Sequence, residues 1–570
     1  VGRDRYGVFP LRGKLLNVRD ASVSSITNNA EITAIKQILG LRNGITYKDT
    51  SSLRYGSVMI MSDQDVDGSH IAGLVINFFH SQFPSLLEIP GFLKRFITPI
   101  VVAKKGSEMV EFYSMPDYED WKKQTPDASK WKAKYLKGLG TSTNEDSRRY
   151  FKNLKQLVKI LTWSEDAKES IDKSFNKSRA DERKQWLLDF EHGNQLDQTK
   201  THVLVTDFIN KDLILFSRYD VERSIPSVVD GLKPSQRKIL FSAFKRNLVS
   251  EIKVAQFAGY VSENAGYHHG ETSLQGAIVN MAQDYVGSNN INLLVPKGQF
   301  GSRLHGGKDS ASARYIFTQL SPETRSIFHK ADDRLLKYLE EDGDPIEPEY
   351  YVPVIPFLLV NGASGIGTGF STNIPAYNPK DVVNNVKRLI DGKEMVPMTP
   401  WYRDFKGSIV ETSPGVLSCK GLYETKGKTA IVSELPIGTW TQDYKEYLES
   451  LIDKKVISDF KEKHDEKNVL FEIMFLNDID PKILKLDSMI RTTNMHAFDP
   501  SGKIKKYDSP LEIIQDWFSV RKSFYTERKK SLLNELDHKA LIATNKHRFI
   551  SSVNDGTLKI TRRPEKDIVD

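Results

Sequence analysis

Up to about residue 165, short strand-like apolar runs at 57–61, 96–102 and 111–114 alternate with apolar stretches of helical length such as 70–79. That alternation predicts an α/β domain with a partly parallel sheet. From 166 to 205 the chain turns charged and polar (KESIDKSFNKSRADERKQW, then EHGNQLDQTKTH), which predicts a surface helix followed by a connector, with a new domain starting near Val203. Residues 206–345 carry apolar-periodic helices with basic faces, notably LKPSQRKILFSAFKR, between the glycine-rich turns GYHHGE and GQFGSRLHGGKDS. A mostly helical domain is expected there. From 346 to 505 proline-marked strands (PVIPFLLV, KGSIVET, KTAIVSELP, VLFEIMF) predict a mixed α and β domain. Ser509-Pro510-Leu511-Glu512 then has the form of a capping box with Pro at the first helical position, and it opens a helical pattern running to about Val553. Such a helix would extend roughly 60 Å. Its apolar positions, among them Ile514, Trp517, Phe524, Leu532, Leu536 and Ile550, are irregularly spaced, so a long arm packing antiparallel to another helix fits better than a zipper. The pattern as a whole predicts a multidomain α/β and α+β protein.

The 570 residues are 39% hydrophobic and 27% charged, with 36 Gly and 24 Pro spread along the chain, which excludes collagen and wholesale disorder. The net charge of +7 suits an anionic partner, although it is distributed over a large surface. A single cysteine, Cys419, excludes an internal disulfide framework and a cysteine-based zinc cluster. No apolar run approaches the roughly 20 residues needed to span a bilayer, so no membrane partner is expected. The start, VGRDRYGVFP, has neither an apolar signal core nor an initiator Met and suggests a fragment of a longer chain.

The sharpest chemical signal is Asp63-Gln64-Asp65-Val66-Asp67-Gly68, directly after the strand-like SVMIM. In an extended segment alternate residues share a face, so Asp63, Asp65 and Asp67 are expected to converge on a hard cation such as Mg²⁺. An EF-hand fails, because its twelfth position should be Glu and is Leu74. A solvated acidic turn is the plain alternative. Asn361-Gly362-Ala363-Ser364-Gly365-Ile366-Gly367 follows an apolar run but lacks the glycine spacing of a dinucleotide fingerprint, and Gly307-Lys308-Asp309 lacks that of a P-loop. Tyr267-His268-His269-Gly270-Glu271 and the run from Gly306 through Arg314 to Tyr315 pair turn glycines with titratable groups. A tyrosine, with an ordinary pKa of about 10, is a poor nucleophile unless a cation or base assists, and Arg314 supplies a permanent charge beside Tyr315. That arrangement suits attack on a phosphodiester, whereas an isolated tyrosine or histidine pair is more often structural. Arg12, Lys14, Arg19, Lys137, Lys233, Arg237 and Lys238 are candidate phosphate contacts, against the reading that charged helix faces are merely solvated.

Together, PLRGKLLNVRDAS, SDQDVDGSH, KYLKGLGTST, RSIPSVVDGLKPSQRKILF, GYHHGE, GGKDSASARYIF and NGASGIGTGF resemble the DNA cleavage and religation core of eukaryotic type IIA DNA topoisomerases over essentially the whole chain. The resemblance implies a partial TOPRIM metal-binding domain at 1–165, a connector at 166–205, a winged-helix domain with the catalytic tyrosine at 206–345, a tower or shoulder domain at 346–505, and a coiled-coil arm at 506–570. It implies Tyr315 as the nucleophile that becomes linked to a 5′ phosphate, with Arg314 and His269 at the reacting phosphate. Asp63, Asp65 and Asp67 would hold Mg²⁺, for which Mn²⁺ or Ca²⁺ can substitute in binding. DNA contacts are implied for Lys14, Asn17, Lys177, Lys233, Tyr267, Ser273 and, less directly, His268, and Ile366 would be the apolar wedge that bends the duplex. The implied partners are double-stranded DNA, a second copy of the chain sharing its active sites, and topoisomerase poisons at the cleavage site. Nuclear localisation follows from the resemblance alone.

The family's further metal-binding glutamate, in an EGDSA-like segment, and its ATP-binding domain are expected upstream of Val1, and its C-terminal dimer gate beyond Asp570. Ser62, Ser364 and Ala313 stand where relatives carry Thr, Glu and Pro. Two other function classes stay open: a DNA-binding and bending module without chemistry, and a hydrolytic Mg²⁺ nuclease or phosphatase using the aspartates alone.

Overall fold

The computed structural model describes residues 2, 4–136, 138–191, 193–341, 343–560 and 564. It divides into two compact units, one of residues 1–222 with 366–370, the other of 223–365 with 371–570.

In the first unit, β1 (Val58–Met61) leads through α1 (Val66–Gln82) into β2 (Leu93–Phe96), which lies parallel to β1. The helix buries ten residues, among them Ala72, Leu74, Ile76, Phe78 and Phe79, which is why its apolar pattern is nearly continuous. β3 (Val101–Lys105), β4 (Glu108–Phe112) and β5 (Lys132–Tyr135) form a separate antiparallel sheet around Val101, Ala103, Phe112 and Tyr118. The single strand expected at 96–102 is therefore two, because Pro99 falls between β2 and β3 and has no N–H for a ladder. β6 (Val158–Thr162) pairs antiparallel with β2, and β7 (His202–Leu204) pairs parallel with β6. The partly parallel sheet expected from the alternation is present, in the order β1-β2-β6-β7.

The segment 166–205 is more than a connector. It holds α2 (Ala167–Phe175) and α3 (Ala180–Leu188), which bury Ile171, Phe175, Trp186 and Leu187. Val203 opens no new unit, because β7 completes the first sheet, and the division comes at Arg223 instead. A pairing made with residues 160–162, far back along the chain, leaves no mark in local hydrophobicity.

In the second unit, α4 (Pro234–Arg246), α5 (Val254–Asn264) and α6 (Glu271–Ala282) enclose a core containing Ile239, Phe257, Leu274, Ile278 and Ile316. The short strands β8 (Ile252–Lys253) and β9 (Phe317–Thr318) pair antiparallel beside it. PVIPFLLV, expected as a strand, is instead α7 (Phe357–Asn361), with Phe357, Leu358, Leu359 and Val360 all buried. Prolines at 353 and 356 cannot donate to a ladder, and a fully buried apolar run has no period by which to tell a helix turn from a strand. Farther on, the strands Leu422–Lys426, Thr429–Glu434, Phe471–Phe475 and Ile457–Glu462 form an antiparallel sheet in that order, covered by α8 (Thr441–Asp453).

The chain then enters α9 (Pro510–Asn554), 45 residues long. Ser509 Oγ accepts from Leu511 N at 3.2 Å and the Glu512 carboxylate from Asp508 N at 3.2 Å, so the capping pair is realised one residue out of register with the expected box. Ile513, Ile514, Trp517 and Arg521 are buried, whereas Leu533, Leu536, Leu541 and Ile550 are exposed along its outer half. The Arg521 guanidinium donates to Asp332 Oδ2 at 2.7 Å and to the Val352 carbonyl at 2.8 Å, and Arg528 Nε donates to Asp332 Oδ1 at 2.7 Å. No helix among the described residues is long and apolar enough to cross a membrane.

Arg521 is 1% exposed and relies on Asp332. Asp332→Ala is expected to destabilise the second unit by about 3–5 kcal/mol, because it strands a buried guanidinium. Urea denaturation followed by tryptophan fluorescence checks this, and a change below about 1 kcal/mol would contradict it.

Candidate functional site

The acidic motif sits where β1 ends. Ser62 Oγ, buried, donates to the Gly68 carbonyl at 3.0 Å and folds the chain back at once. Asp63 Oδ1 accepts from Leu139 N at 2.7 Å. Gly138, with φ of +139°, allows that approach, since a Cβ there would lie 2.7 Å from the Asp63 Cγ. Asp65 is the N-cap of α1 and accepts from Gly68 N at 2.7 Å, and a Cβ on Gly68 would collide with the Asp63 carbonyl oxygen. Asp67 lies in the first turn of α1, its Oδ1 2.8 Å from the Lys14 ammonium, which in turn stands 4.4 Å from the Phe216 ring centroid.

The expected convergence of three carboxylates is not found. The chain leaves the extended conformation at Ser62 and is helical from Val66, so a period of two no longer applies across 63–67. Among the described residues no group of three or more His, Cys, Asp or Glu gathers for a metal ion. Asp63 and Asp65 still present hard oxygen donors at the carboxyl end of β1, in a cradle that a Cβ at 68 or 138 would fill, and that donor chemistry fits a divalent cation.

The basic candidates of the first unit divide sharply. Arg12, Lys14 and Lys177 are exposed. Asn17 turns inward instead, its Oδ1 accepting from Asn77 Nδ2 at 2.9 Å and Arg19 N at 3.2 Å and its Nδ2 donating to the Phe175 carbonyl at 2.9 Å. Its amide ties three segments of the first unit together. Lys137 lies outside the described residues. Ile366 is 86% exposed and groups with the first unit, as does Thr368, whose hydroxyl donates to Asp220 Oδ2 at 3.0 Å.

In the second unit Tyr315 is 70% exposed on a turn whose neighbours Ala313 and Ile316 are buried. The turn is pinned to the start of α5, because Val254 N donates to the Ile316 carbonyl at 3.0 Å and Ala255 N to the Ala313 carbonyl at 3.1 Å. The Arg314 guanidinium stands 5.6 Å from the Tyr315 ring centroid. The glycines before this turn are packing residues: a Cβ at Gly306 would collide with Trp440, and one at Gly307 with Gln283, while Ser302 N donates to Asp309 Oδ1 at 2.9 Å. Neither Trp440 nor Gln283 was legible as a support, since each meets the turn from a distant part of the chain.

Tyr267 and His269 meet edge to face at 5.4 Å, and burial pushes the Tyr267 hydroxyl pKa up against the opposing pull of Arg223. His268 bonds to Glu341. Ser273 is exposed in the first turn of α6. The Lys233 ammonium, its pKa lowered by burial, donates to the Ser364 carbonyl at 2.7 Å. Arg237 is a correction: it is 7% exposed and donates to Asp230 at 2.7 and 3.2 Å and to the Leu232 carbonyl at 2.9 Å. Lys238 likewise turns to the Ala265 carbonyl and Glu347. Arg237 and Lys238 are thus engaged within the second unit.

Comparison with known proteins matches residues 1–98 to the Toprim domain and 96–221 to the C-terminal associated domain of TOPRIM. Residues 223–570 match the family of the DNA gyrase/topoisomerase IV A-type chain. The chain is 52% identical to DNA topoisomerase 2 of Arabidopsis thaliana, over all of this chain and 40% of that one. It is 47% identical to human DNA topoisomerase 2-alpha, over all of this chain and 39% of that one. It thus spans about two-fifths of the length of these relatives. Among solved structures it is similar to the Plasmodium falciparum topoisomerase II DNA-binding, cleavage and re-ligation domain, with a TM-score of 0.82 at 47% identity, covering 100% of this chain and 80% of that one.

Two outcomes follow from the site's electrostatics. Arg237→Met should lower stability by about 3–5 kcal/mol by stranding Asp230, while duplex binding of the folded variant stays within about twofold of the parent. A larger loss of binding at unchanged stability would restore Arg237 as a DNA contact. His80 has its pKa lowered to about 4 by burial and by Arg19 and Lys168, against the opposing charge of Asp172. Above about pH 6.5 it is neutral folded or unfolded; as pH falls toward 4 only the unfolded chain takes up the proton, so the first unit loses stability across that window. His80→Asn, which keeps an acceptor for Arg19, should flatten that part of a melting temperature against pH curve.

Proposed function

The chain belongs to the DNA topoisomerase 2 family, and we propose that it binds duplex DNA and cuts and reseals it through a covalent phosphotyrosine at Tyr315. The observation that carries the reading is the Tyr315 turn: an exposed phenol with a guanidinium against its ring, on backbone held at both sides by buried neighbours. In this reading the Tyr315 oxygen attacks a backbone phosphorus and gives up its proton, and the bond from phosphorus to the 3′ oxygen breaks. The 5′ phosphate stays on the tyrosine and the departing 3′ oxygen takes a proton. One phosphodiester replaces another, so the same steps run backward to reseal the strand without a new energy source.

Arg314 would offset the negative charge that builds on the phosphate, and His269, beside Tyr267, would act at the same phosphate. Asp63 and Asp65, supported by Asp67, would hold Mg²⁺, which when bound stabilises charge on the departing oxygen. Arg12, Lys14, Lys177 and Lys233 would meet phosphates, Tyr267, His268 and Ser273 would flank them, and exposed Ile366 would wedge the duplex open.

The subdomain assignments belong to the same proposal: a Toprim-type domain, a winged helix around α4 to α6, a tower about the later sheets, and α9 as a coiled-coil arm. So do assembly as a homodimer in which each tyrosine works with the partner copy's acidic site, a nuclear location, poisons bound at the cleavage site, and ATP-driven passage of a second duplex in the whole enzyme.

The test is to incubate the protein with supercoiled DNA and Mg²⁺, denature with detergent, and look for protein-linked breaks. Tyr315→Phe should abolish the adduct while leaving duplex affinity within about twofold. Binding with no adduct even in the parent would favour a bending module, and free ends without attached protein would favour a hydrolytic nuclease.

A further inference from the structure

We infer that Asp172 is a positioning residue for DNA binding, locking the exposed loop that carries Lys177 to the segment that carries Arg12 and Lys14. The inference rests on the DNA reading above. The two segments come from opposite ends of the first unit, and no local feature of either dictates their alignment.

Asp172 stands at the end of α2, and its two oxygens are divided between them. Arg19 donates to Oδ1 at 2.7 Å from the 14–20 segment, while Arg179 donates to Oδ2 at 3.0 Å from the loop, with Asn176 adding a bond to Oδ1 at 3.2 Å. Burial pushes the Asp172 carboxyl up, and the bonds from Arg179 and Asn176 with the nearby guanidinium charges outweigh it and hold the pKa below the usual carboxylate value. Two further ties run parallel. Asp20 Oδ2 accepts from Lys177 N at 2.9 Å, and Asn17 Nδ2 donates to the Phe175 carbonyl at 2.9 Å.

The arginines are thereby committed inward. Arg19 donates at Nε to Asn77 Oδ1 at 3.1 Å and meets His80 Nδ1 at 2.8 Å through its second arm, and Arg179 Nε donates to Glu182 at 2.7 Å. Arg19 and Arg179 have side chains 17% and 15% exposed, so neither presents its charge to a ligand, whereas Lys177 on the same loop is exposed. A rigid pair of guanidiniums fixed by one carboxylate holds the exposed Lys177 in constant register with the segment that carries Arg12 and Lys14.

The sign of the effect separates this role from simple electrostatics. Removing Asp172 raises the net charge by one, which by itself strengthens binding to a polyanion. Positioning requires the opposite. Duplex affinity is measured by fluorescence anisotropy at fixed salt for the parent, Asp172→Ala, Asp172→Glu and Lys177→Ala, and for Asp172→Ala combined with Lys177→Ala. Asp172→Ala should weaken binding about five- to tenfold, Asp172→Glu should recover most of it, and the Asp172→Ala effect should largely vanish in the Lys177→Ala background. Trypsin should cut after Lys177 and Arg179 faster in Asp172→Ala than in the parent. Asp172→Asn, of the same shape, serves if the alanine variant does not fold.

Equal or tighter binding by Asp172→Ala, or an undiminished effect without Lys177, overturns the inference while the DNA reading stands. Unchanged trypsin protection overturns it too. A parent protein that does not bind duplex at all overturns the DNA reading instead, and the trypsin result still decides whether Asp172 locks the loop.

Discussion

Arg95, Arg237, Arg303 and Arg521 are all buried, and each meets a carboxylate: Asp212, Asp230, Glu434 and Asp332. Burying either charge alone would cost several kcal/mol, so each pair forms only when both segments arrive in register. Apart from Arg237 and Asp230, which are seven residues apart, the partners are separated by 117 to 189 residues. Their value lies in specifying which distant segments meet more than in net stability, since an apolar pair of equal volume could hold as well. Around Asp230 the logic is visible in full: its oxygens accept from Arg237, from Leu232 N and from Tyr351 N at 2.9 Å, so one carboxylate fixes the turn before α4 and the segment at Tyr351 far along the chain. The geometry in which the outward-facing groups stand rests on these internal ties.

That division of labour explains what could and could not be read from sequence. Local features were legible. The long helix from Pro510 to Asn554 follows from a cap, an N1 proline and an uninterrupted pattern, and the acidic turn after β1 follows from an apolar strand meeting a run of aspartates. Partnership was not legible. Arg237 and Lys233 lie four residues apart at the start of one basic helix, yet only Lys233 retains exposed surface, because Asp230 captures the other. Asn17 and Arg19 alternate with Leu16 and Val18 in a short segment whose partners cannot be read locally, and both are claimed by α1 and α2. PFLLV reads equally as strand or helix turn, because burial on every side erases the period.

The acidic site shows the same limit from another direction. Spacing alone places three carboxylates on one face, but unit charges about 4 Å apart repel by about 4 kcal/mol even in a medium of intermediate polarity. In this structure the three carboxylates do not gather, and each has its own partner. Asp63 takes a backbone N–H from Leu139, Asp65 one from Gly68, and Asp67 an ammonium from Lys14. Glycines at 68 and 138 make these close approaches sterically open. The result is a turn whose carboxylates are each held by a separate partner, two by backbone N–H groups and the third by the Lys14 ammonium.

A nucleophile for a small metabolite can hide in a cavity, but one for a duplex cannot, because the polymer does not enter the protein. The reacting phenol has to protrude, and protrusion ordinarily means mobility. On the proposed reading, Tyr315 resolves the conflict by having its neighbours do what an enclosing pocket does elsewhere. Ala313 and Ile316 are buried, their carbonyls are bonded to the first residues of α5, and the preceding glycine turn packs on Trp440 and Gln283, so the backbone is fixed while the side chain is not covered. The proposed wedge would follow a related rule, since Ile366 is exposed beside a turn that Gly367 N closes with a 2.8 Å bond to the Phe370 carbonyl. Rigidity supplied from beneath in this way keeps reacting groups within a fraction of an ångström of a working geometry while leaving their outer faces open to a substrate wider than any pocket.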